Sequence, residues 1–199
     1  MKSVELIFDF VSPNAYFVHR LIGEIAAQTK SKLIITPVFL AGIMKETGNQ
    51  PPMQAFAGVK GKMDYEMLEI RRFIAKHHLS KFSMNPNFPF NSIGVMRAFV
   101  AAQKLGIEMP FFEKIFSAIW EEGKNLATSD GLYKAIQSTG LNANAILELS
   151  QTSEVKLELA RNTKNAIDRG VFGVPSFFVG SELFFGKERL GQIEELLQN

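Results

Sequence analysis

A serine and a proline stand where a predicted strand meets a predicted helix near the N-terminus. Residues 4–10 are apolar enough for a buried strand, and an apolar pattern at helical spacing follows Ser12 and Pro13. Serine caps a helix by accepting a backbone N–H, and proline suits the first turn, where N–H groups lack partners within the helix. The corner is therefore either a plain helix start or a hydroxyl placed for chemistry, and this stretch alone leaves both open.

Other residue types exclude several kinds of chemistry. The sequence has no cysteine, which rules out disulfides, thiolate metal sites and thiol chemistry carried by the protein itself. A reaction at sulfur would have to import its thiol. Two of the three histidines, His77 and His78, are adjacent and cannot share one face of a helix, so they make a poor metal site. We expect no metal.

Composition indicates an ordinary globular enzyme-sized chain. At 199 residues, with 46% hydrophobic and 21% charged residues, it can bury one sizeable core. The net charge of +2 argues against a nucleic-acid binder. No apolar run reaches the roughly 20 residues of a membrane span, and no signal-peptide layout opens the chain, so we expect a cytoplasmic protein without a membrane partner. The 18 phenylalanines indicate either a Phe-rich core or an aromatic-lined pocket.

The elements that must position the serine follow an interrupted order. Residues 2–10 predict a strand, 13–30 a helix and 32–40 a second, parallel strand. Residues 42–169 are almost entirely helical in pattern, and 175–186 predict two short strands around Gly180-Ser181 before a terminal helix. We predict an α/β fold in which residues 1–41 and 170–199 form one sheet domain of β-α-β and β-β-α order. Residues 42–169 form a large inserted all-helical domain.

This order is that of the thioredoxin fold, and Val174-Pro175 stands where that fold keeps its cis-proline. Four motifs, "FDFVSPNAYF", "FLAGIMKETGNQPP", "VFGVPSFFV" and "FFGKERL", together resemble the family that contains kappa-class glutathione transferases and 2-hydroxychromene-2-carboxylate isomerases. The resemblance runs nearly end to end. It implies a DsbA-like thioredoxin fold in which a serine replaces the redox-active cysteine pair, with glutathione supplying the thiol.

The resemblance implies that Ser12 is the catalytic residue. A helix N-terminus carries roughly half a positive charge and favours an anion. A hydroxyl donating to that anion adds about 1.5–3 kcal/mol, which corresponds to about one to two pKa units. On this interpretation Ser12 stabilises the glutathione thiolate and is not itself a nucleophile.

The same resemblance implies a set of residues for binding glutathione. The backbone of Val174, before Pro175, would pair with the cysteinyl part of the tripeptide. Asn49 and Lys60 stand where kappa-class proteins contact the tripeptide, the lysine suiting its glycyl carboxylate. A turn residue and a solvated charge are the respective alternatives.

At the head of the last helix, Phe185, Gly186, Lys187 and Glu188 complete that set. Glu188 would accept the γ-glutamyl ammonium, and helix-head N–H groups would bind its carboxylate. The family usually has a small or amide residue followed by aspartate here, so Lys187-Glu188 departs from its pattern. An ordinary helix start is the alternative.

The second substrate is expected in the cleft between the two domains. Lys45, which follows Met44 where the isomerases tend to have a lysine, is a candidate substrate contact. Phe88, in a loop with Phe90, and Trp120 are candidates for an apolar wall, with core packing as the alternative.

The predicted function is a glutathione-dependent isomerase acting on a conjugated, aromatic-derived substrate. The alternatives are a kappa-class transferase that conjugates glutathione to small electrophiles, or a thioredoxin-like protein that binds glutathione or a peptide without turnover. The family resemblance also implies a homodimer.

Overall fold

The computed structural model describes residues 2–198, which form a four-stranded sheet packed with helices. In chain order the elements are β1 (Ser3–Phe8), α1 (Pro13–Gln28), β2 (Lys32–Pro37), α2 (Leu40–Thr47), α3 (Pro52–Ala55), α4 (Lys62–Lys76), α5 (Ile93–Lys104), α6 (Glu108–Trp120), α7 (Ser129–Ser138), α8 (Ala143–Ser150), α9 (Ser153–Asp168), β3 (Ser176–Val179), β4 (Glu182–Phe185) and α10 (Leu190–Gln198). A short 3₁₀ helix, Lys187–Arg189, leads into α10. Within the described residues, no helix combines the length and apolar character needed to cross a membrane.

The sheet joins the two ends of the chain. Its strand order is β2-β1-β3-β4, with β1 parallel to β2 and antiparallel to β3, and with β3 and β4 antiparallel. The last two strands meet at a two-residue turn, Gly180-Ser181, where Gly180 has a φ of +60° that favours glycine. The predicted β-α-β and β-β-α order is confirmed, and the helices between β2 and β3 interrupt the sheet domain.

Two strands end earlier than the sequence predicts. β1 stops at Phe8 because the chain turns at once, with the Ser12 N–H donating to the Asp9 carbonyl at 3.1 Å. β2 stops at Pro37, after which the Val38 N–H makes one last bond to the Phe8 carbonyl at 3.1 Å. Leu40 then begins α2, so the predicted domain boundary after residue 41 falls inside a helix.

Phenylalanines form the centre of the core. Phe8, the last residue of β1, and Phe10 form a cluster with Phe99 of α5 and Phe112 and Phe116 of α6, all at most 2% exposed. Ring centroids lie 4.6 Å apart for Phe10 and Phe116 and 4.8 Å apart for Phe8 and Phe112. The Phe-rich composition is thus, for these five residues, a core feature. This cluster packs α5 and α6 directly against the strand that leads to Ser12.

Candidate active site

The Ser12 corner is built as a capped helix start. Ser12 has extended backbone dihedrals, and its hydroxyl oxygen accepts the Ala15 N–H at 3.2 Å. Pro13 is the first residue of α1, as the sequence predicts. The capping interpretation is therefore confirmed, and it does not exclude a second role, because a hydroxyl that accepts one hydrogen bond still has a proton to donate.

The structure brings the Ser12 hydroxyl against the loop before β3. Its oxygen lies 3.4 Å from the Val174 carbonyl oxygen, to which it donates, and the Val174-Pro175 peptide is cis, as the fold resemblance implies. A distance of 3.4 Å is long for an O–H···O hydrogen bond, so this contact is weak and the hydroxyl proton can turn toward another acceptor. Ser12 is 6% exposed, which leaves a narrow approach to it.

Two backbone N–H groups in the segments that meet at this corner have no hydrogen-bond partner. Among the residues that the structure describes, the N–H groups of Asn14 and Val174 make no hydrogen bond. Asn14 is the second residue of α1, so its N–H belongs to the positive end of that helix. The Ser12 hydroxyl and the Asn14 N–H at the helix N-terminus are donors suited to an anion, and the Val174 N–H in the facing loop is suited to pairing with an extended backbone.

Asn49 connects the end of α2 to the Val174 loop. Its amide nitrogen donates to the Phe172 carbonyl at 2.7 Å, and its amide oxygen accepts the Gln50 N–H at 2.8 Å. A Cβ on the intervening Gly173 would lie 2.9 Å from the Phe185 ring, so Phe185 packs closely over the same loop. The structure therefore brings Asn49, Val174 and Phe185 together, with Asn49 already bonded within the chain.

The head of α10 continues this surface. The Gly186 N–H donates to the Pro175 carbonyl at 3.0 Å. Lys187 is only 4% exposed and its ammonium bonds to the Glu188 carboxylate, whose side chain is 53% exposed. Partial burial raises the pKa of Glu188, but Lys187, a backbone hydrogen bond and the charge of Arg189 together hold that pKa below its usual value. Lys187 thus supplies Glu188 with a cation from within the chain.

Two predicted lysines have no contact with this cluster. Lys45 lies exposed on α2 and Lys60 lies exposed in the turn before α4. Neither makes an ion pair within residues 2–198. Their proposed roles toward a carboxylate remain predictions.

The two predicted aromatic contacts belong to the core. Trp120 has no exposed surface, and its indole N–H donates to the Phe10 carbonyl at 3.0 Å. Phe88 is partly buried against the core cluster, its ring centroid 5.8 Å from that of Trp120. The prediction that Trp120 lines a substrate pocket is wrong, because its polar atom and its surface are both used in packing behind the Ser12 corner.

Sequence reasoning missed Asp9. This aspartate is fully buried, and its carboxylate accepts from the Val11 N–H, the Leu40 N–H and the Ser92 hydroxyl at 3.0, 2.9 and 2.8 Å. Burial raises the pKa of Asp9 to about 6 against the lowering effect of these bonds. The signal in the sequence was a charged residue between two phenylalanines, Phe8 and Phe10, because a charge buried among apolar side chains needs hydrogen-bond partners.

A buried histidine, His19, lies about two helical turns from Ser12 along α1. His19 is 7% exposed, donates from Nδ1 to the Tyr16 carbonyl at 2.6 Å and stacks on Phe116. Its Nε2 is buried and has no partner among the described residues. Burial lowers the pKa of His19 to about 3, so the ring is neutral. The described residues contain no cluster of three or more potential metal ligands.

Fold and site together define a class. The protein is thioredoxin-like, with serine in place of cysteine at the head of α1. Three features identify it: the β-α-β and β-β-α sheet, the cis-proline loop, and the helix N-terminus that meets this loop. The model of the DsbA-like thioredoxin domain matches residues 3–198, and the chain belongs to that family.

The relatives that match over nearly the whole chain belong to two named groups of enzymes. The chain is 24% identical to a 2-hydroxychromene-2-carboxylate isomerase from Sphingobium xenophagum, over 98% of both chains. It is 26% identical to glutathione S-transferase kappa 1 from Rattus norvegicus, over 98% of this chain and 91% of the relative. A solved structure of a 2-hydroxychromene-2-carboxylate isomerase superposes with a TM-score of 0.83 at 23% identity, covering 98% of this chain and 93% of that one, which supports the same fold.

Proposed function

We propose that this chain is a glutathione-dependent isomerase in which Ser12 stabilises the thiolate of bound glutathione. The observation that carries the proposal is the 3.4 Å contact between the Ser12 hydroxyl and the Val174 carbonyl. It places a weakly held proton at a helix N-terminus, beside a loop whose Val174 N–H has no partner among the described residues.

These residues offer the hydrogen-bond donors and acceptors that glutathione would need. Ser12 and the Asn14 N–H would donate to the sulfur, and the N–H and C=O of Val174 would pair with the cysteinyl backbone. Glutathione would supply the nucleophilic sulfur that the cysteine-free chain lacks, adding reversibly to a conjugated carbon so that the former double bond can rotate. The chain's own task is to keep that sulfur ionised and oriented.

The substrate, we infer, is a small conjugated molecule derived from an aromatic ring. This specificity is supported by the names of full-length relatives, and Lys45 is retained as its proposed carboxylate contact.

Glutathione transfer to small electrophiles is the second candidate. Met44 supports it, because Met44 offers no charge for a substrate carboxylate where the sequence resemblance gives the isomerases a lysine. Both functions need the same thiolate, and they differ in whether glutathione is consumed.

The proposal is tested by titrating the protein with glutathione calorimetrically between about pH 6 and 9, since an ordinary thiol has a pKa of about 8.5. We expect binding to release a proton near neutral pH in the wild type. Ser12→Ala should release fewer protons and should lower the rate with a model electrophile by about tenfold or more, because one hydrogen bond to the anion is lost.

The matched control is Thr128→Ala. Thr128 caps α7 through a hydroxyl that accepts the Gly131 N–H at 3.1 Å. Thr128→Ala therefore removes a helix cap of the same kind, but in a different helix from the one that begins at Ser12. If Thr128→Ala reduced proton release as much as Ser12→Ala did, the proposed role of Ser12 would be wrong. Assaying a strained conjugated alkene then separates the two candidates, because an isomerase leaves the total glutathione unchanged.

A further inference from the structure

Asp9 lies directly behind the Ser12 corner but cannot touch a ligand, because it has no exposed surface. We propose that Asp9 is a positioning residue, which holds the Ser12 hydroxyl in line with the Val174 loop by fastening the corner to two helices. This inference rests on the proposed function, since it assigns to Asp9 the placement of the thiolate-stabilising hydroxyl.

The first step of the argument is the shape of the corner itself. The Asp9 carbonyl accepts the Ser12 N–H at 3.1 Å, and its side-chain Oδ1 accepts the Val11 N–H at 3.0 Å. One residue thus closes the turn through both its backbone and its side chain, as aspartate does in Asx turns. The direction in which Ser12 leaves the turn depends on both bonds.

The second step is the attachment of the corner to its surroundings. The other carboxylate oxygen, Oδ2, accepts the N–H of Leu40, the first residue of α2, and the hydroxyl of Ser92, the N-cap residue of α5. The Ser92 hydroxyl makes no capping bond within α5, so it is used for Asp9 instead. Two helix N-termini therefore meet one buried carboxylate, an arrangement that favours a negative charge there.

Through α2, Asp9 is also connected to the Val174 loop, which faces Ser12 across the proposed thiol site. α2 runs from Leu40 to Thr47 and is followed by Asn49, which bonds to the Phe172 carbonyl before Gly173 and Val174. A chain of direct hydrogen bonds and one short helix thus connects Asp9 to the loop that faces Ser12. Movement of Asp9 would displace both sides of the proposed thiol site.

The third step concerns energy. Within residues 2–198, no ion pair includes Asp9, and a buried carboxylate without a cation is costly to keep charged. An asparagine would avoid that cost but could not accept from all three donors, because its amide nitrogen is a donor. The geometry therefore favours a role that requires an acceptor on both oxygens.

A purely electrostatic role predicts the opposite effect. A carboxylate close to a thiolate repels it, so removing the charge in Asp9→Asn would by itself increase the ionised fraction of bound glutathione. Positioning predicts a decrease, because the corner loses at least one of its bonds and the Ser12 hydroxyl moves away from the sulfur. The two roles thus differ in sign.

The test is a double-mutant cycle on Asp9→Asn and Ser12→Ala. The readout is the ultraviolet absorbance of the glutathione thiolate as a function of pH. The pH at which half of the bound glutathione is ionised gives the ratio of thiolate to thiol at any other pH. We expect Asp9→Asn to lower the thiolate-to-thiol ratio by about tenfold, the size of one charge-assisted hydrogen bond. In the Ser12→Ala background the same change should lower it by less than about threefold, because residues that act through one another are not additive.

Two serine variants keep the test decisive if Asp9→Asn fails to fold. Ser92→Ala removes one of the three donors and keeps the carboxyl group of Asp9. We expect a two- to threefold lower ratio, which corresponds to about half a kcal/mol and is smaller than the effect of losing a whole charge-assisted bond. Ser150→Ala is the matched control, since Ser150 is 1% exposed and its hydroxyl donates within α8 to Leu147. It should leave the ratio unchanged.

The outcomes are distinct. If the wild type shows no thiolate at any pH, the proposed function fails and this inference fails with it. If the wild type shows a thiolate but Asp9→Asn raises the ratio, or lowers it equally with and without the Ser12 hydroxyl, only the inference is overturned. Equal ratios for Ser92→Ala and Ser150→Ala would also overturn it.

Discussion

At the scale of single residues, one buried acid and one buried base lie close to the Ser12 corner. Asp9 is held with a raised pKa of about 6, and His19 with a lowered pKa of about 3, in each case mainly by burial. Burial disfavours the charged form of both groups. Their effects on stability therefore have opposite pH dependence.

The sign follows from proton uptake. His19 binds a proton more readily in the unfolded chain, so its contribution is full above about pH 6.5 and is lost as the pH falls toward about 3. Asp9 binds a proton more readily in the folded chain, so its contribution is full below about pH 4 and is lost as the pH rises through about 6. Between about pH 4 and 6 the two contributions largely cancel.

Replacing His19 by Gln should remove the pH dependence that His19 gives to stability. We expect the free energy of unfolding of the variant minus that of wild type to be about 2 kcal/mol larger at pH 5 than at pH 7, because His19 takes up a proton on unfolding at pH 5 and glutamine does not. Urea denaturation at the two pH values measures this difference. The comparison at pH 7 serves as the control for the packing cost of the substitution, and an equal difference at both values would contradict the prediction.

At the scale of elements, the site depends on how α2 and β3 are joined. Asn49 makes the bond between the turn after α2 and the Val174 loop, through Phe172. The amide nitrogen and the amide oxygen of Asn49 both form hydrogen bonds within the chain. A residue that binds a ligand directly would keep one of these atoms for the ligand. The role of Asn49 here is to keep two elements from distant parts of the sequence in register.

Asn49→Ala is expected to weaken glutathione binding about three- to tenfold while lowering stability by only about 1 kcal/mol, the cost of one hydrogen bond. The measurements are the dissociation constant by calorimetry and the unfolding midpoint in urea. Asn144→Ala, at an exposed asparagine of α8, is the matched control. Unchanged affinity in Asn49→Ala would show that the α2 connection does not shape the thiol site.

At the scale of the whole molecule, the inserted helices and the sheet share one core. A single buried cluster includes Leu6 of β1, Phe99 of α5, Ile146 of α8 and Ile193 of α10. Apolar contacts of this kind couple the stability of the parts that make them. The two predicted domains are thus joined through their cores, although dimer formation stays a prediction.

We therefore expect the protein to unfold in one cooperative transition. Trp120 is the only tryptophan in the sequence and lies fully buried between the inserted helices and the residues after β1. Its fluorescence should change at the same urea concentration as the far-ultraviolet circular dichroism of the whole chain. Separate transitions for the two signals would mean that the helical insertion and the sheet unfold independently.

Local pattern was sufficient for the elements and for half of the site. The strand and helix order, the Ser12 cap and the turn at Gly180-Ser181 all depend on residues within a few positions of one another. The motif resemblance added Val174, Pro175 and the head of α10, which the structure places in one connected surface. These features were determined by the sequence alone.

Tertiary structure decided which polar groups serve each other. The Ser12 hydroxyl meets a carbonyl 162 positions away, and Asp9 is bonded to donors 31 and 83 positions away. Trp120 became a core residue because α6 packs against the residues that follow β1, and Lys187 became a buried residue. No local rule specifies such pairings, since burial and partner choice follow from how whole elements pack, and a residue's type and neighbours in sequence leave both undetermined.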